Sequence, residues 1–159
     1  MTVYTKFFIP PIIKMITQVV DELSVQINNK HQIIQFDELK KSPTCFCDQN
    51  SLKQILINLV ENASKYSPEK SLISLWIEEE KSFCSIHIKD EGLGLTEDEQ
   101  KHIFDEFFRV VSTGEVQQQG TGLGLSIVKR LIIQMGGNIW VNSKGPGTGA
   151  TFSFSLPTA

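Results

Sequence analysis

The chain has 159 residues, a formal net charge of −3 and 40% apolar residues. That length supports one domain with a real core and is short for two, while the slight acidity argues against an electrostatic grip on nucleic acid or anionic lipid. The longest apolar runs, FFIPPII near the start and the segment around Leu72 and Ile77, stop far short of the roughly 18 residues a membrane span requires.

Residues 1–6 lack the basic start and unbroken apolar stretch of a secretory leader, so a cytoplasmic location without direct membrane contact is expected. Cys45, Cys47 and Cys84 make an odd total that cannot complete a disulfide framework, and no further ligands stand at metal-binding spacing. All three read as small buried apolar residues.

In chain order, Pro10 and Pro11 mark a helix start. Ile12, Ile13, Ile16, Val19, Val20, Leu23 and Ile27 then keep one apolar face until Asn28 and Asn29 end it. Residues 31–36 and 44–47 are predicted short strands on either side of a Lys40, Lys41, Ser42, Pro43 turn. In LKQILINLVENASKY (52–66), Leu52, Ile55, Leu56, Leu59 and Ala63 recur at helical steps, whereas Asn58, Asn62 and Lys65 fall together on a second face. Two carboxamides and an ammonium beside an apolar seam are groups that would hold a magnesium ion and a polyphosphate. The alternative is an ordinary solvated face, which would tolerate mid-helix Asn only at a cost in helix propensity. Asp48 or Ser51 can cap this helix, and Ser67 with Pro68 stops it.

Residues 71–79 and 84–89 alternate apolar and polar side chains, as two neighbouring antiparallel strands with one covered face each would. DEGLG (90–94) follows, and alone it reads as a surface turn. Thr96 and Glu99 then form a capping box for a short helix. Residues 104–122 open with phenylalanines and Arg109, then become too polar to bury themselves; 105–121 are predicted to be mobile. Helical spacing resumes at Gly124 through Leu125, Ile127, Val128, Leu131, Ile132 and Met135, with Gly136 and Gly137 as the stop. Strands at 138–141 and 150–156 flank a Gly-rich turn at 144–149. Helices and strands mix without regular alternation, which argues for an α+β two-layer sandwich in one domain spanning 1–159.

Four segments stand in fixed order: NLVENASKY (58–66), DEGLG (90–94), FDEFFR (104–109) and GTGLGL (120–125). Together they resemble the N, G1, F and G2 boxes of the catalytic and ATP-binding domain of sensor histidine kinases. That domain belongs to a wider group with gyrase, the heat-shock chaperone ATPases and the mismatch-repair MutL proteins. The resemblance runs from about Leu52 to Pro157 and implies the Bergerat-type ATP-binding fold, a mixed, mostly antiparallel sheet on about three helices.

The resemblance also implies residue roles. Asp90 would accept a hydrogen bond from the adenine amino group, where guanine would oppose a carbonyl to the carboxylate at a cost on the order of a few kcal/mol. Gly92 and Gly94 would let the backbone approach the base. Asn62 would be the magnesium ligand, and Lys65 would meet the phosphates as a point charge. Asn58 stands where the ATP-hydrolysing relatives place a water-activating Glu, so hydrolysis is not the implied outcome. Glu61 lies about a quarter turn or more away around the helix. The backbone of GTGLGL, directly before a helix, would receive the phosphates: Gly120, Thr121, Gly122, Leu123, Gly124 and Leu125. It is neither a Walker A loop nor a Rossmann fingerprint. Phe104 and Phe107 would anchor the 105–121 lid, with Arg109 reaching the γ-phosphate. Tyr66 and Leu95 would complete the pocket, and Thr151 would support the adenine-binding carboxylate.

A histidine kinase passes phosphate to a histidine with an acidic neighbour on a helical dimerisation domain. His31, His87 and His102 are followed by Gln, Ile and Ile, so the acceptor is expected outside this chain, with a response regulator receiver domain taking the phosphate onward. The helix within 1–30 either links to that dimerisation domain or packs on the sandwich. The alternative function is a nucleotide-binding module that drives a conformational change in a partner.

Overall fold

The computed structural model describes residues 11–37, 43–110 and 121–159. Pro11, extended at φ −65° and ψ 108°, precedes α1 (Ile12–Glu22), which buries Ile12, Met15, Ile16 and Val19. The single helix expected over 12–27 is instead two, α1 and α2 (Ser24–Asn29), meeting at Leu23 with ψ near 0°. Hydrogen bonds from Leu23 N to Val19 O (3.0 Å) and Ile27 N to Leu23 O (3.1 Å) cross the joint. The chain therefore bends without losing its ladder, and Leu23 and Ile27 both stay buried.

Strand β1 (Ile33–Asp37) begins later than expected, because His31 takes a left-handed φ of 53° and Gln32 is turned inward to 5% exposure. The expected strand at 44–47 is a correction: it makes only isolated bridges, Thr44 with Pro11 and Cys45 with Thr158. The segment lies beside the last residues of the chain, through Phe46 N to Pro157 O and Ala159 N to Thr44 O, too short a partner for a ladder. Its alternation holds, since Cys45 and Cys47 share a fully buried side and Phe46 is exposed. Cys84 is equally buried, and all three thiols are free. A hydrogen bond to Cys84 and burial raise the Cys45 thiol, while burial pushes Cys47 up to about 12.

Next come α3 (Gln49–Tyr66), β2 (Leu72–Glu79), β3 (Phe83–Lys89), α4 (Glu97–His102), α5 (Gly124–Gln134), β4 (Asn138–Asn142) and β5 (Thr151–Pro157). Asp48 is the cap of α3, its carboxylate accepting from Ser51 N at 2.8 Å. The Thr96–Glu99 capping box of α4 is present in both directions. The sheet runs β1-β2-β3-β5-β4; β1 and β2 are parallel and the other three pairs antiparallel. Inward strand residues such as Ile73, Leu75, Ile86, Ile88, Phe154 and Leu156 meet Ile12, Ile16, Leu52, Leu56, Val128 and Ile132 from α1, α3 and α5 in one core. On the opposite side of the sheet, His87 stacks on Trp76 at 4.9 Å and bonds Ser153 Oγ at 2.7 Å. This is an α+β sandwich with a mixed, mostly antiparallel sheet.

Helix α5 ends in a Schellman arrangement: Gly136 (φ 78°) donates to Ile133 O and Gly137 to Ile132 O, both at 3.0 Å. A methyl on Gly137 would lie 2.0 Å from Ser155 O and 3.0 Å from Ile132 Cγ2. Gly137→Ala must therefore push β4 off β5 or unwind the cap, and is expected to destabilise the chain by about 1–3 kcal/mol. A urea midpoint equal to that of the parent chain would show that this contact does not constrain the fold.

Candidate functional site

The core seam of α3 fixes how the helix is rotated. With Leu52, Ile55, Leu56, Leu59 and Ala63 buried against the sheet, Asn58, Asn62, Lys65 and Tyr66 form a stripe at i, i+4, i+7 and i+8. That stripe is one wall of a cavity of about 270 Å³. Asn58 Nδ2 donates to Gln54 O at 2.9 Å, and its Oδ1 lies where a methyl on Gly124 would approach to 3.1 Å. Lys65 Nζ stands 5.1 Å from the Tyr66 ring centre.

Asp90, 5% exposed, directly follows β3 and also lines the cavity. Its Oδ1 accepts from Gly92 N at 2.8 Å and from Ala150 N at 3.2 Å. Burial raises the pKa of this carboxyl, and those two backbone bonds pull it back. Gly92 itself is not on the wall; a methyl there would sit 2.6 Å from Tyr66 O, so only glycine lets the turn pack under the end of α3. Gly94 (φ 67°) and Leu95 are on the wall, locked to the turn before β5 by Leu95 N donating to Ser143 Oγ at 3.0 Å.

The third wall is the start of α5. Thr121, Gly122, Gly124 and Leu125 line it. Leu123 holds the cap position without lining the cavity, and its side chain offers no acceptor to the first-turn amides of α5. Phe107 (φ 62°) donates from its N to Gly122 O at 3.0 Å, and Glu106 pairs with Arg130 of α5 at 2.8 Å. Arg109 is on the wall. Phe104 is not; it packs edge-on to Phe152 at 6.1 Å against the core. Phe107 is 69% exposed.

Thr151 is off the wall, paired with Lys89 and Asn142 in the sheet, and the group that bonds Asp90 is the preceding residue's amide, Ala150 N. Glu61 is off the wall as well. Gly120, and residues 111–120 of the expected lid, lie outside the described residues. The wall also holds Leu93, Ile103, Phe108, Val110, Ala150 and Phe152, which the sequence reading missed. Ala150 and Phe152 could have been found, since they open an alternating strand just after a Gly-rich turn. Among the described residues no group of three or more His, Cys, Asp or Glu side chains is placed to hold a metal ion. A cation bound here must bring most of its ligands with it. No helix among the described residues is long and apolar enough to cross a membrane.

Comparison with known proteins places this architecture. The family described as histidine kinase-, DNA gyrase B- and HSP90-like ATPase matches residues 47–159. The sensor histidine kinase WalK of Bacillus subtilis is 40% identical over 112 residues, which are 69% of this chain and 18% of WalK. Full-length ShkA, solved in complex with AMPPNP, superposes with a TM-score of 0.84 at 30% identity, covering 100% of this chain and 32% of ShkA. The nucleotide-free catalytic domain of histidine kinase ThkA superposes at 0.83 with 27% identity, covering 96% of each chain. The chain thus spans less than a third of WalK and about a third of ShkA, but nearly all of an isolated catalytic domain. Sequence, fold and cavity agree: the chain belongs to the histidine kinase-, DNA gyrase B- and HSP90-like ATPase family.

Proposed function

We propose that the chain is the ATP-binding catalytic unit of a cytoplasmic sensor histidine kinase. It holds Mg·ATP in the cavity between α3, the end of β3 and α5, and hands the γ-phosphoryl to a histidine on a dimerisation domain. A response regulator receiver domain then takes the phosphate. One observation carries the reading: a buried carboxylate, a carboxamide, an ammonium and the first residues of a helix all line one cavity. An adenine amine needs the first and a polyphosphate needs the others. The AMPPNP bound by the structural relative ShkA is a ligand of that same chemistry.

Both backbone donors to Asp90 use Oδ1, which leaves Oδ2 to accept from the exocyclic amine. The donor set fits magnesium: Asn62 offers a neutral carboxamide oxygen, and with no acidic cluster among the described residues the phosphates would supply the charge. When bound, the ion neutralises charge that develops on the phosphates during transfer. Lys65 and the first-turn amides of α5 hold the phosphate oxygens, and Arg109 spreads charge on the γ-phosphoryl. The bond from the γ-phosphorus to the β,γ-bridging oxygen breaks and a P–N bond to the acceptor imidazole forms, with ADP leaving and the proton on the other ring nitrogen passing to the acceptor's acidic neighbour or to water. Asn58 cannot take a proton from water, and its Nδ2 is already engaged by Gln54 O. That favours transfer to a side chain over hydrolysis.

The direct experiment mixes this chain with γ-labelled ATP, magnesium and a separately produced histidine-bearing dimerisation domain. Acid-labile, base-stable label on the second protein is expected; steady phosphate release with no labelled protein would instead support a conformational ATPase. Asn62→Ala should abolish the magnesium-dependent part of ATP affinity in calorimetry. Retention of that part would put the metal elsewhere.

Asp90→Asn should weaken ATP binding about tenfold or more, the cost of turning part of the acceptor into a donor. The empty chain should respond in the opposite sense. Folded Asp90 titrates above its unfolded value, so its contribution to stability is present below the unfolded pKa and lost as pH rises through the folded one. Asparagine removes that loss, so any gain in melting temperature should be larger at about pH 7 than at about pH 4. A gain that does not change with pH would mean Asp90 is not the titrating group.

A further inference from the structure

Helix α3 ends at Tyr66 without the left-handed glycine that usually closes a C-terminus; Ser67 is extended at φ −92° and ψ 150°, and Pro68 follows. Its last carbonyls therefore need donors from elsewhere. They come from the connection between α2 and β1. Lys30 Nζ donates to Ser64 O at 2.6 Å, Ser67 O at 2.7 Å and Lys65 O at 3.3 Å. Gln32, 5% exposed, donates from Nε2 to Ser64 O at 3.1 Å and Pro68 O at 3.0 Å, and its Oε1 accepts from Ser64 Oγ at 2.6 Å. The left-handed turn at His31 presents both side chains to the same helix end, and Lys30 O accepts from Lys70 N at 2.9 Å just beyond it. An ammonium at the negative end of a helix is also favoured by the helix dipole.

The turn of helix that is gripped is the one that carries Lys65 and Tyr66 into the cavity. We propose that Lys30 and Gln32 are positioning residues for the nucleotide site, clamping the open end of α3 so that Lys65 and Tyr66 stay on the cavity wall. The clamp rests on the nucleotide reading for its ligand, but not for its geometry. Neither residue touches the cavity, and both act through the backbone of α3. The clamp also joins the segment that follows the N-terminal helices to the far end of the site-bearing helix, 32 to 37 residues away in sequence.

The test compares Lys30→Met, which keeps the length and removes the donors, with Lys30→Arg, which restores a cation. Lys53→Met is the control, because it breaks only the exposed Glu22 pair near the other end of α3. Each variant is checked for folding by far-UV circular dichroism, titrated with Mg·ATP by calorimetry, and mapped by backbone amide NMR. Lys30→Met is expected to weaken ATP about fivefold, the loss of one charge-assisted cap expressed as affinity, and to shift the Lys65 and Tyr66 amides. Lys30→Arg should recover most of that affinity, and Lys53→Met should change neither readout. ATP affinity equal to the parent's in folded Lys30→Met, or an equal loss in Lys53→Met, would overturn the clamp. Should the parent chain itself bind no ATP, the nucleotide reading fails while the amide shifts still judge the clamp, unmoved Lys65 and Tyr66 signals refuting it. Should Lys30→Met not fold, Lys30→Gln and Gln32→Glu take the same measurements under the same criteria.

Discussion

Burying one carboxylate at the end of β3 sets the terms for much of the surrounding structure. A charged group at 5% exposure costs several kcal/mol unless it is hydrogen-bonded, and Asp90 obtains its bonds from Gly92 N and Ala150 N. The second bond requires β5 to start beside the end of β3, which the Lys89–Thr151 pairing provides. It also requires glycine at 149, where a methyl would meet Asp90 O at 2.1 Å, and at 92, where one would meet Tyr66 O. The end of α3, the end of β3 and the start of β5 are thus drawn together at a single side chain.

Helix α3 carries the other half of the arrangement, and its two faces are not independent. Leu52, Ile55, Leu56 and Leu59 are at most 2% exposed, and burying such side chains is worth about 1.5–3 kcal/mol each. That energy holds the polar stripe at one angle to the cavity. Rotating the helix by a single residue, about 100°, would bring Glu61 toward the cavity and carry Asn62 away from it. Packing in the core and placement of the carboxamides are one constraint, so core substitutions under α3 act on the site as well as on stability.

What the sequence made legible was local. The period of α3 and α5, the alternation of β2 and β3, and the capping box at Thr96 each reside in a dozen residues or fewer, and each is present in the fold. The polar stripe was legible for the same reason: helical spacing alone puts Asn58, Asn62 and Lys65 on one line. What escaped was decided at long range. The bend at Leu23 has no glycine or proline to announce it and keeps Ile27 in the core. The 44–47 segment alternates like a strand, but its partner is the last few residues of the chain. The bond from Ala150 N to Asp90 was not legible, because a backbone amide leaves no signature in side-chain identity. Lys30 and Gln32 look like ordinary surface polar residues until the end of α3 is placed above them.

The junction of the FDEFFR segment with α5 shows how the third wall is held in place. Phe107 is a bulky residue at φ 62°, a conformation that costs on the order of 1–3 kcal/mol, and its side chain is too exposed for burial to repay that cost. Two other contacts hold it there. Its amide is bonded to Gly122 O, and Gly122, itself at φ 74°, leaves room for the Phe107 backbone where a methyl would come within 3.0 Å. One residue earlier, Glu106 reaches Arg130 on α5. Backbone strain is thereby balanced by tying both segments to the same helix. Arg109 on one side and Thr121 on the other consequently line the cavity from anchored backbone, close to Gly124 and Leu125 at the start of α5, which line the same space.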